Sequence, residues 1–291
     1  MTFAYHKPPS LPEALALLAA NPGRFPVLAG GTDIVVQWRS GLLKLEGVID
    51  ISGLSELRAI SITEEGIEIG ALVTHSAIAA DRIVVQRFPA LAAACRTIGG
   101  VQIQNAGTLG GNIMNASPAG DTLPVLLAHE AMFLAQDLKG ERWIKANDFF
   151  VGYRKTSLAP HELLTRIMLP MPDTKERARF YKIGQRRAQA ISKVSLCARG
   201  RVRHGGIEWV KIAVGSVAAT PMRLPGTEAL LKGKVITQAL IDKAGASLAD
   251  EVTPIDDLRS TADYRRFAAG GLLARYLREV TIKDFRRASS V

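Results

Sequence analysis

Between Gly99 and Asp121 the chain places six glycines in 23 residues, and Asp121 is the only charge in the run. The rest is Gln102, Gln104, Asn105, Thr108, Asn112, Asn115 and Ser117 among small and apolar side chains. A stretch so poor in bulky side chains cannot build a core by itself. It offers instead a dense set of backbone N–H donors in turn conformations, a nest suited to an extended polar ligand. Asp121 stands where the next helix should begin. There it either caps the helix or accepts hydrogen bonds from a sugar-like ligand.

A second glycine turn lies earlier, in Val27-Leu28-Ala29-Gly30-Gly31-Thr32-Asp33-Ile34. This reads as a strand, a tight turn and a helix start, with Thr32 as a cap and Asp33 favourably placed in the first turn. The free N–H groups of such a turn suit a phosphate; an ordinary strand–helix connection has the same pattern.

Around these segments the chain reads as α+β. Ser10-Leu11-Pro12-Glu13 forms a capping box, and Leu11, Ala14, Leu15 and Leu18 give a helix ending near Asn21. Strands are expected over 25–29 and 47–51, so that residues 1–52 make a unit with parallel strands. Further strands are expected over 66–70, 131–136 and 163–169, with helices from Thr74, from Pro89 and after Asp121. Pro170-Met171-Pro172-Asp173 is the natural boundary. Beyond it come three meander strands (178–185, 191–202, 207–217) and three helical stretches (225–232, 236–249, 260–280).

Composition removes several function classes. With 47% hydrophobic and 22% charged residues over 291 positions, the chain is globular rather than disordered. No window approaches the roughly 18 apolar residues of a membrane span, and the N-terminus has no leader pattern, so a cytoplasmic protein is expected. Two distant cysteines, Cys95 and Cys197, and five scattered histidines supply no cluster or zinc ligand set, so no metal of its own is expected. No two glycines are separated by one residue, which excludes the G-x-G-x-x-G fingerprint. Gly233-Lys234-Val235 is no Walker loop, and no serine sits in a G-x-S-x-G elbow.

The net charge is +10, and 175–205 holds ten cations against Glu176. That concentration points either to an anionic partner or to a solvated sheet face. Nucleic acid is not expected, because Phe180-Tyr181 is the segment's one aromatic pair and no binding module is present. A basic binding protein with an acidic partner therefore stays open on the residues alone.

The two glycine segments resemble those of the FAD-binding subunit of the molybdenum hydroxylases, the family of xanthine dehydrogenase and the CO dehydrogenase medium chain. The first is similar to that family's A-G-G-T-D loop. The second, from Gln102 through Gly107-Thr108-Leu109-Gly110-Gly111-Asn112 to Ala116-Ser117-Pro118 and Asp121, is similar to its Q-I-R-N-x-G-T-L-G-G-N…A-S-P-x-x-D signature. The resemblance runs on through Gly152-Tyr153-Arg154-Lys155-Thr156, Phe180-Tyr181-Lys182, Ala219-Thr220-Pro221-Met222-Arg223 and Ala262-Asp263-Tyr264-Arg265-Arg266, and so covers essentially the whole chain.

It implies a two-lobed FAD-binding domain of the vanillyl-alcohol-oxidase (PCMH) type over 1–174, with lobes of about 1–55 and 56–174, followed by an antiparallel-sheet and helix-bundle domain over 175–291. It also implies FAD as cofactor. The diphosphate would lie along Val27, Leu28, Ala29, Gly30, Gly31, Thr32, Asp33 and Ile34 and against Thr108, Leu109, Gly110, Gly111 and Asn112. Asp121 would hold ribityl or ribose hydroxyls, and Ile98 and Gly99 would pack beside the flavin or its adenine arm. Leu164 and Lys182 would meet the carbonyl edge of the isoalloxazine. The implied partners are a small iron–sulfur subunit, a large molybdopterin subunit and NAD or another acceptor. A free-standing flavin reductase on the same fold is the alternative. One departure stands out: Ala190 occupies a position where many relatives carry Asp, and Ala190-Ile191-Ser192 leans toward relatives acting on purines or other N-heterocycles.

Overall fold

The structure, a computed structural model, describes residues 3–203 and 205–288. Met1, Thr2 and His204, which entered the leader and histidine readings, lie outside the described residues, as do 289–291.

The first lobe is a small parallel sheet. Strand β1 (Ala4–His6), helix α1 (Leu11–Ala20), strand β2 (Val27–Leu28), helix α2 (Ile34–Arg39) and strand β3 (Gly47–Asp50) follow in order. The strand order is β1-β3-β2, with Tyr5 opposite Val48 and Val27 opposite Ile49. Ala14, Leu15 and Leu18 of α1 pack on Phe25, Ile49 and Ile51, the face that the helical spacing marks out. Strand β1 escapes sequence reading because it has three residues and Tyr5 at its centre points outward. Ser10 does not close a capping box: its Oγ meets Glu13 Oε1 at 3.1 Å and caps no backbone amide.

The second lobe opens with a 3₁₀ turn (Ser55–Arg58) and strands β4 (Ile60–Ile62) and β5 (Gly66–Gly70). Six short helices follow: α3 (His75–Ala80), α4 (Arg82–Arg87), α5 (Pro89–Thr97), α6 (Val101–Ala106), α7 (Leu109–Asn115) and α8 (Thr122–Ala128). Then come β6 (Met132–Gln136), β7 (Glu141–Lys145), α9 (Ala146–Phe149), β8 (Phe150–Gly152), β9 (Lys155–Thr156) and β10 (Leu163–Pro170). The antiparallel sheet runs β4-β5-β10-β6-β7. Here the expectation of an all-turn nest over 99–120 is corrected. Most of the segment is α6 and α7, and its glycines sit at their ends: Gly100 before α6, Gly107 between the two, Gly110 and Gly111 in the first turn of α7.

The remainder is a meander of β11 (Arg177–Ile183), β12 (Val194–Arg203), β13 (Gly206–Gly215) and β14 (Met222–Arg223), followed by α10 (Pro225–Leu231), α11 (Gln238–Glu251) and α12 (Ala262–Ala288). Period-two alternation gives this sheet two buried faces. Ala178, Cys197 and Ala213 join the core of the second lobe, while Leu196, Ala198, Ile212 and Val214 join a separate core with α11 and α12. Among the described residues no helix is long and apolar enough to cross a membrane.

Phe133 of β6 is fully buried and meets Phe149 edge-on at 4.8 Å between centroids. Phe133→Ala should cost about 3–5 kcal/mol through lost burial and the cavity left behind. A urea denaturation series will register this as a lower midpoint at unchanged slope.

Candidate cofactor cleft

A cleft of about 450 Å³ opens where the glycine turn of the first lobe faces α6 and α7. Lys182 from β11 and Ala190 and Ile191 from the following loop also line it, so both lobes and the first strand of the meander contribute. Gly31 makes the turn with φ +70°, which a side chain resists. Gly30 is a glycine for another reason: a Cβ there would stand 1.8 Å from the carbonyl oxygen of Ala106. The close approach it permits is between the two lobes, not toward a ligand.

The turn is left with a row of unspent donors. Among the described residues, the backbone amides of Ala29 through Asp33 donate to no protein acceptor. The first turn of α7 is the opposite case. Leu109 N donates to Val73 O at 3.0 Å, Gly110 N to Ala71 O at 2.9 Å and Gly111 N to the Thr108 cap oxygen at 3.0 Å. The amide nest expected across the second motif is thus already occupied by protein, because α7 is sewn to the segment after β5. What α7 contributes is space. A Cβ on Gly110 would meet the backbone of Ala71 at 2.7 Å, whereas one on Gly111 would meet only Thr108 Oγ1, at 2.9 Å, and would otherwise project at the cleft.

At the other end sits a buried ion pair. Lys182 Nζ lies 2.5 Å from Asp121 Oδ2 and donates to Thr97 O at 2.9 Å. Asp121 Oδ1 accepts from Ser192 Oγ at 2.6 Å, and Thr97 Oγ1 approaches Oδ2 at 3.3 Å. Burial pushes the Asp121 carboxyl above its ordinary value, and Lys182, Ser192 and Thr97 pull against that shift. Asp121 makes no cap bond to α8, and the N-cap of α2 is Asp33 rather than Thr32, also without a side-chain cap. Asp33 Oδ1 accepts from Gln37 Nε2 at 3.1 Å, while its buried Oδ2 has no partner among the described residues. Asn112 Oδ1 is spent on Thr122 Oγ1 at 2.6 Å, tying α7 to α8.

A second, apolar cavity of about 350 Å³ adjoins the cleft and shares Val27, Ala29, Gly111 and Met114 with it. Leu164 and Gly110 open on this cavity, not on the Lys182 end. Leu164 and Lys182, which the sequence reading brings to one ring edge, line different but adjoining cavities here. The cleft itself collects Val27, Ala29, Gly30, Gly31, Thr32, Asp33, Ile34, Ile98, Gly99, Thr108, Gly111, Asn112, Asp121 and Lys182. Leu28 and the fully buried Leu109 line neither cavity.

Gln37, His75 and Arg154 line the cleft but carry no motif that singles them out. His75 simply follows the Thr74 cap. Arg154 lay within a family-like segment without an assigned role; it holds Asn115 Oδ1 at 2.5 Å. Part of the basic stretch is paired within the fold. Arg201 pairs with Glu208 at 2.7 Å and Asp173 at 3.2 Å, Arg199 with Glu176 at 3.5 Å, and Arg179 with Glu279 at 3.6 Å. Half of the ten cations, Arg179, Lys182, Arg199, Arg201 and Arg203, thus stand in ion pairs among the described residues, which neither the anionic-partner nor the solvated-face reading described.

Comparison with known proteins agrees along the whole length. Residues 1–172 match the family described as FAD binding domain in molybdopterin dehydrogenase, and residues 179–280 match CO dehydrogenase flavoprotein C-terminal domain. The chain is 33% identical to the glyceraldehyde dehydrogenase medium chain of Sulfolobus acidocaldarius, covering 96% of this chain and 98% of that one. It is 31% identical to the xanthine dehydrogenase FAD-binding subunit of Escherichia coli, over 90% of each. In three dimensions it resembles a chain of the carbon monoxide dehydrogenase of Hydrogenophaga pseudoflava, with a TM-score of 0.91 at 30% identity, over 94% of this chain and 96% of that one.

His75 is 2% exposed with Nδ1 unpartnered, and burial lowers its pKa from 6.5 to about 4. The unfolded chain therefore binds the extra proton first as pH falls, so stability is full above pH 6.5 and drains away toward pH 4. From that shift the loss is on the order of 3 kcal/mol. His75→Gln should flatten the dependence of melting temperature on pH across this window; an unchanged slope would mean that His75 is not its source.

Proposed function

The chain belongs to the FAD-binding medium subunits of the molybdenum hydroxylases, and on that premise we propose that it holds FAD as the relay between iron–sulfur clusters and a terminal acceptor. The observation that carries this reading is the row of unspent amides along Ala29–Asp33, facing a wall that lacks a side chain at Gly111. FAD is two flat ring systems joined by a diphosphate, and the cleft has the matching parts: donors for an anion at its middle and room on both sides. When bound, FAD supplies the electron chemistry, accepting and releasing electrons singly or in pairs.

The chain's own residues bind and orient. The amides of Ala29–Asp33 take the diphosphate, and Gly111 leaves it space. Asp121 and Lys182 present fixed charges at the end where the isoalloxazine sits, with Ile98, Gly99 and Ile191 against its faces. The apolar cavity under Leu164 receives the adenine end. Lys182, although paired with Asp121, brings positive charge toward the flavin's carbonyl edge and favours its reduced form. In this reading 1–174 is the FAD-binding domain, with lobes of about 1–55 and 56–174, and 175–291 is the C-terminal domain that closes the cleft.

The partners follow from the same role. With Cys95 and Cys197 both buried and far apart in sequence, electrons reach the FAD through a small iron–sulfur subunit. A large molybdopterin subunit oxidises the organic substrate, and the Ala190-Ile191-Ser192 loop leans toward relatives acting on purines or other N-heterocycles. The acceptor is NAD or another electron acceptor, and the complex works in the cytoplasm.

Two experiments test this. Gly111→Val should abolish FAD retention while the chain still folds, losing no more than the weakened Thr108 cap, about 1 kcal/mol. Gly110→Val should instead unfold the lobe, because its side chain meets Ala71. Full flavin occupancy in purified Gly111→Val protein would rule out this placement of the diphosphate. Affinity purification from the native host at native expression should recover a heterotrimer with the two partner subunits; a lone monomer whose flavin is still reduced by substrate would contradict the relay.

A further inference from the structure

Ser192 lines neither FAD cavity, yet it touches the charged end of the cleft. From the loop between β11 and β12 its hydroxyl donates to Asp121 Oδ1 at 2.6 Å, and the residue is 1% exposed. The other carboxylate oxygen, Oδ2, takes Lys182 Nζ and Thr97 Oγ1. Among the described residues Ser192 is therefore the one donor to Oδ1. The backbone around it is held by other means. Ser216 Oγ donates to Ser192 O at 3.0 Å, Lys193 N donates to Ile183 O at 2.8 Å, and Lys193 O accepts from Arg265 at 2.9 Å. Taking away the hydroxyl deletes one hydrogen bond and leaves these in place.

What that hydrogen bond controls is a proton. The side chains of Lys182 and Asp121 are 12% and 5% exposed, so water screens the pair weakly. With Asp121 ionised, the two charges largely cancel as felt from the cleft. With Asp121 protonated, the charge of Lys182 stands alone. Burial favours the neutral acid, whereas each hydrogen bond donated to the carboxylate favours the ion. No neighbour takes over this balance. Cys95 of α5 is fully buried with its thiol pushed up, which keeps it neutral. His75 of α3, across the cleft, is held neutral by burial down to about pH 4. Asp33 and Arg154, on the remaining walls, engage Gln37 and Asn115.

We propose that Ser192 is a positioning residue that holds Asp121 in its ionised form, and thereby sets how much of the Lys182 charge the bound FAD experiences. The inference rests on the FAD reading above. Reduction adds negative charge to the cofactor, so an unpaired Lys182 favours it more than a paired one does. Ser192 acts on the reduction potential through Asp121, without lining the cleft. Its loss raises the proton affinity of Asp121, so the potential gains a dependence on pH: higher than in the parent where Asp121 is protonated, equal to it where Asp121 is ionised again.

The test uses the full chain loaded with FAD, as parent, Ser192→Ala, Ser192→Thr and Asp121→Asn, with potentials measured by dye-coupled titration from about pH 6 to about pH 9. Asp121→Asn, uncharged throughout, should lie above the parent at every pH. Ser192→Ala should join it at the acid end, with the reduction equilibrium tilted about tenfold, or about 30 mV, and return to the parent at the alkaline end. Ser192→Thr restores the hydroxyl and should follow the parent. An offset between Ser192→Ala and the parent that is absent, or constant across the range, would overturn the proposal, because a merely structural change does not track the Asp121 proton. Infrared spectra of the same proteins stripped of FAD give a second readout. Ser192→Ala should show a protonated-carboxyl band at about pH 7 that the parent lacks and that fades toward about pH 9. A spectrum identical to the parent's would overturn the proposal even for a variant that retains no FAD. A parent that takes up no FAD would instead overturn the proposed function, with the infrared result still deciding the role of Ser192.

Discussion

The ion pair between Asp121 and Lys182 is the contact on which the arrangement of the cleft depends. It joins the start of α8, in the second lobe, to β11 of the meander, and both side chains are almost wholly buried. Two charges in such a place are tolerated only when their remaining hydrogen-bonding capacity is met, and here Thr97 and Ser192 meet it. Ser192 in turn fixes the loop that carries Ala190 and Ile191 over the cleft. Ser216 holds the Ser192 carbonyl at 3.0 Å, and Arg265 of α12 holds the carbonyls of Lys193 and Ser216. A chain of polar contacts therefore runs from the cleft to the last helix. Removing one partner would leave a buried charge uncompensated, a cost of about 3–5 kcal/mol, so the pair acts more as a registration device than as a source of net stability.

The two glycine motifs divide the work in a way their similar appearance conceals. One supplies donors and the other supplies room. The turn at Ala29–Asp33, built on a left-handed Gly31, leaves its amides without protein acceptors among the described residues. The first turn of α7 has given its amides to Val73, Ala71 and Thr108, and that attachment holds Gly111 rigidly at the wall of the cleft. A site for a diphosphate needs both, since an anion bound by flexible donors would lose much of the gain to ordering them.

Much of the architecture was legible in the sequence because it rests on local patterns. The i, i+3, i+4 spacing of α1, the Thr74 cap on α3, the alternation of β5 and the three meander strands all follow from side-chain periodicity and backbone sterics. What was misread has a physical cause as well. Glycine density over 99–120 reads as turn, yet the intervening glutamines, isoleucines and leucine are adequate helix formers, and the glycines fall at helix ends where they cost little. Strand β1 is too short to show a period. The basic stretch reads as either a surface for anions or a solvated face because such counter-charges as Asp121 and Glu279 lie far away along the chain.

By itself, then, the sequence determined the α+β class, the order of the major elements and the two motifs that carry the family's FAD-binding signature, since each depends on residues close together along the chain. Tertiary structure alone decided which amides remain free, that Gly30 is needed by Ala106 and Gly111 by the cleft, that Leu164 and Lys182 face different cavities, and that His75 and Arg154 join the site. These are questions of which atoms meet across lobes and sheets. Hydrogen bonding and van der Waals exclusion act over a few ångströms of space, whatever the separation in sequence.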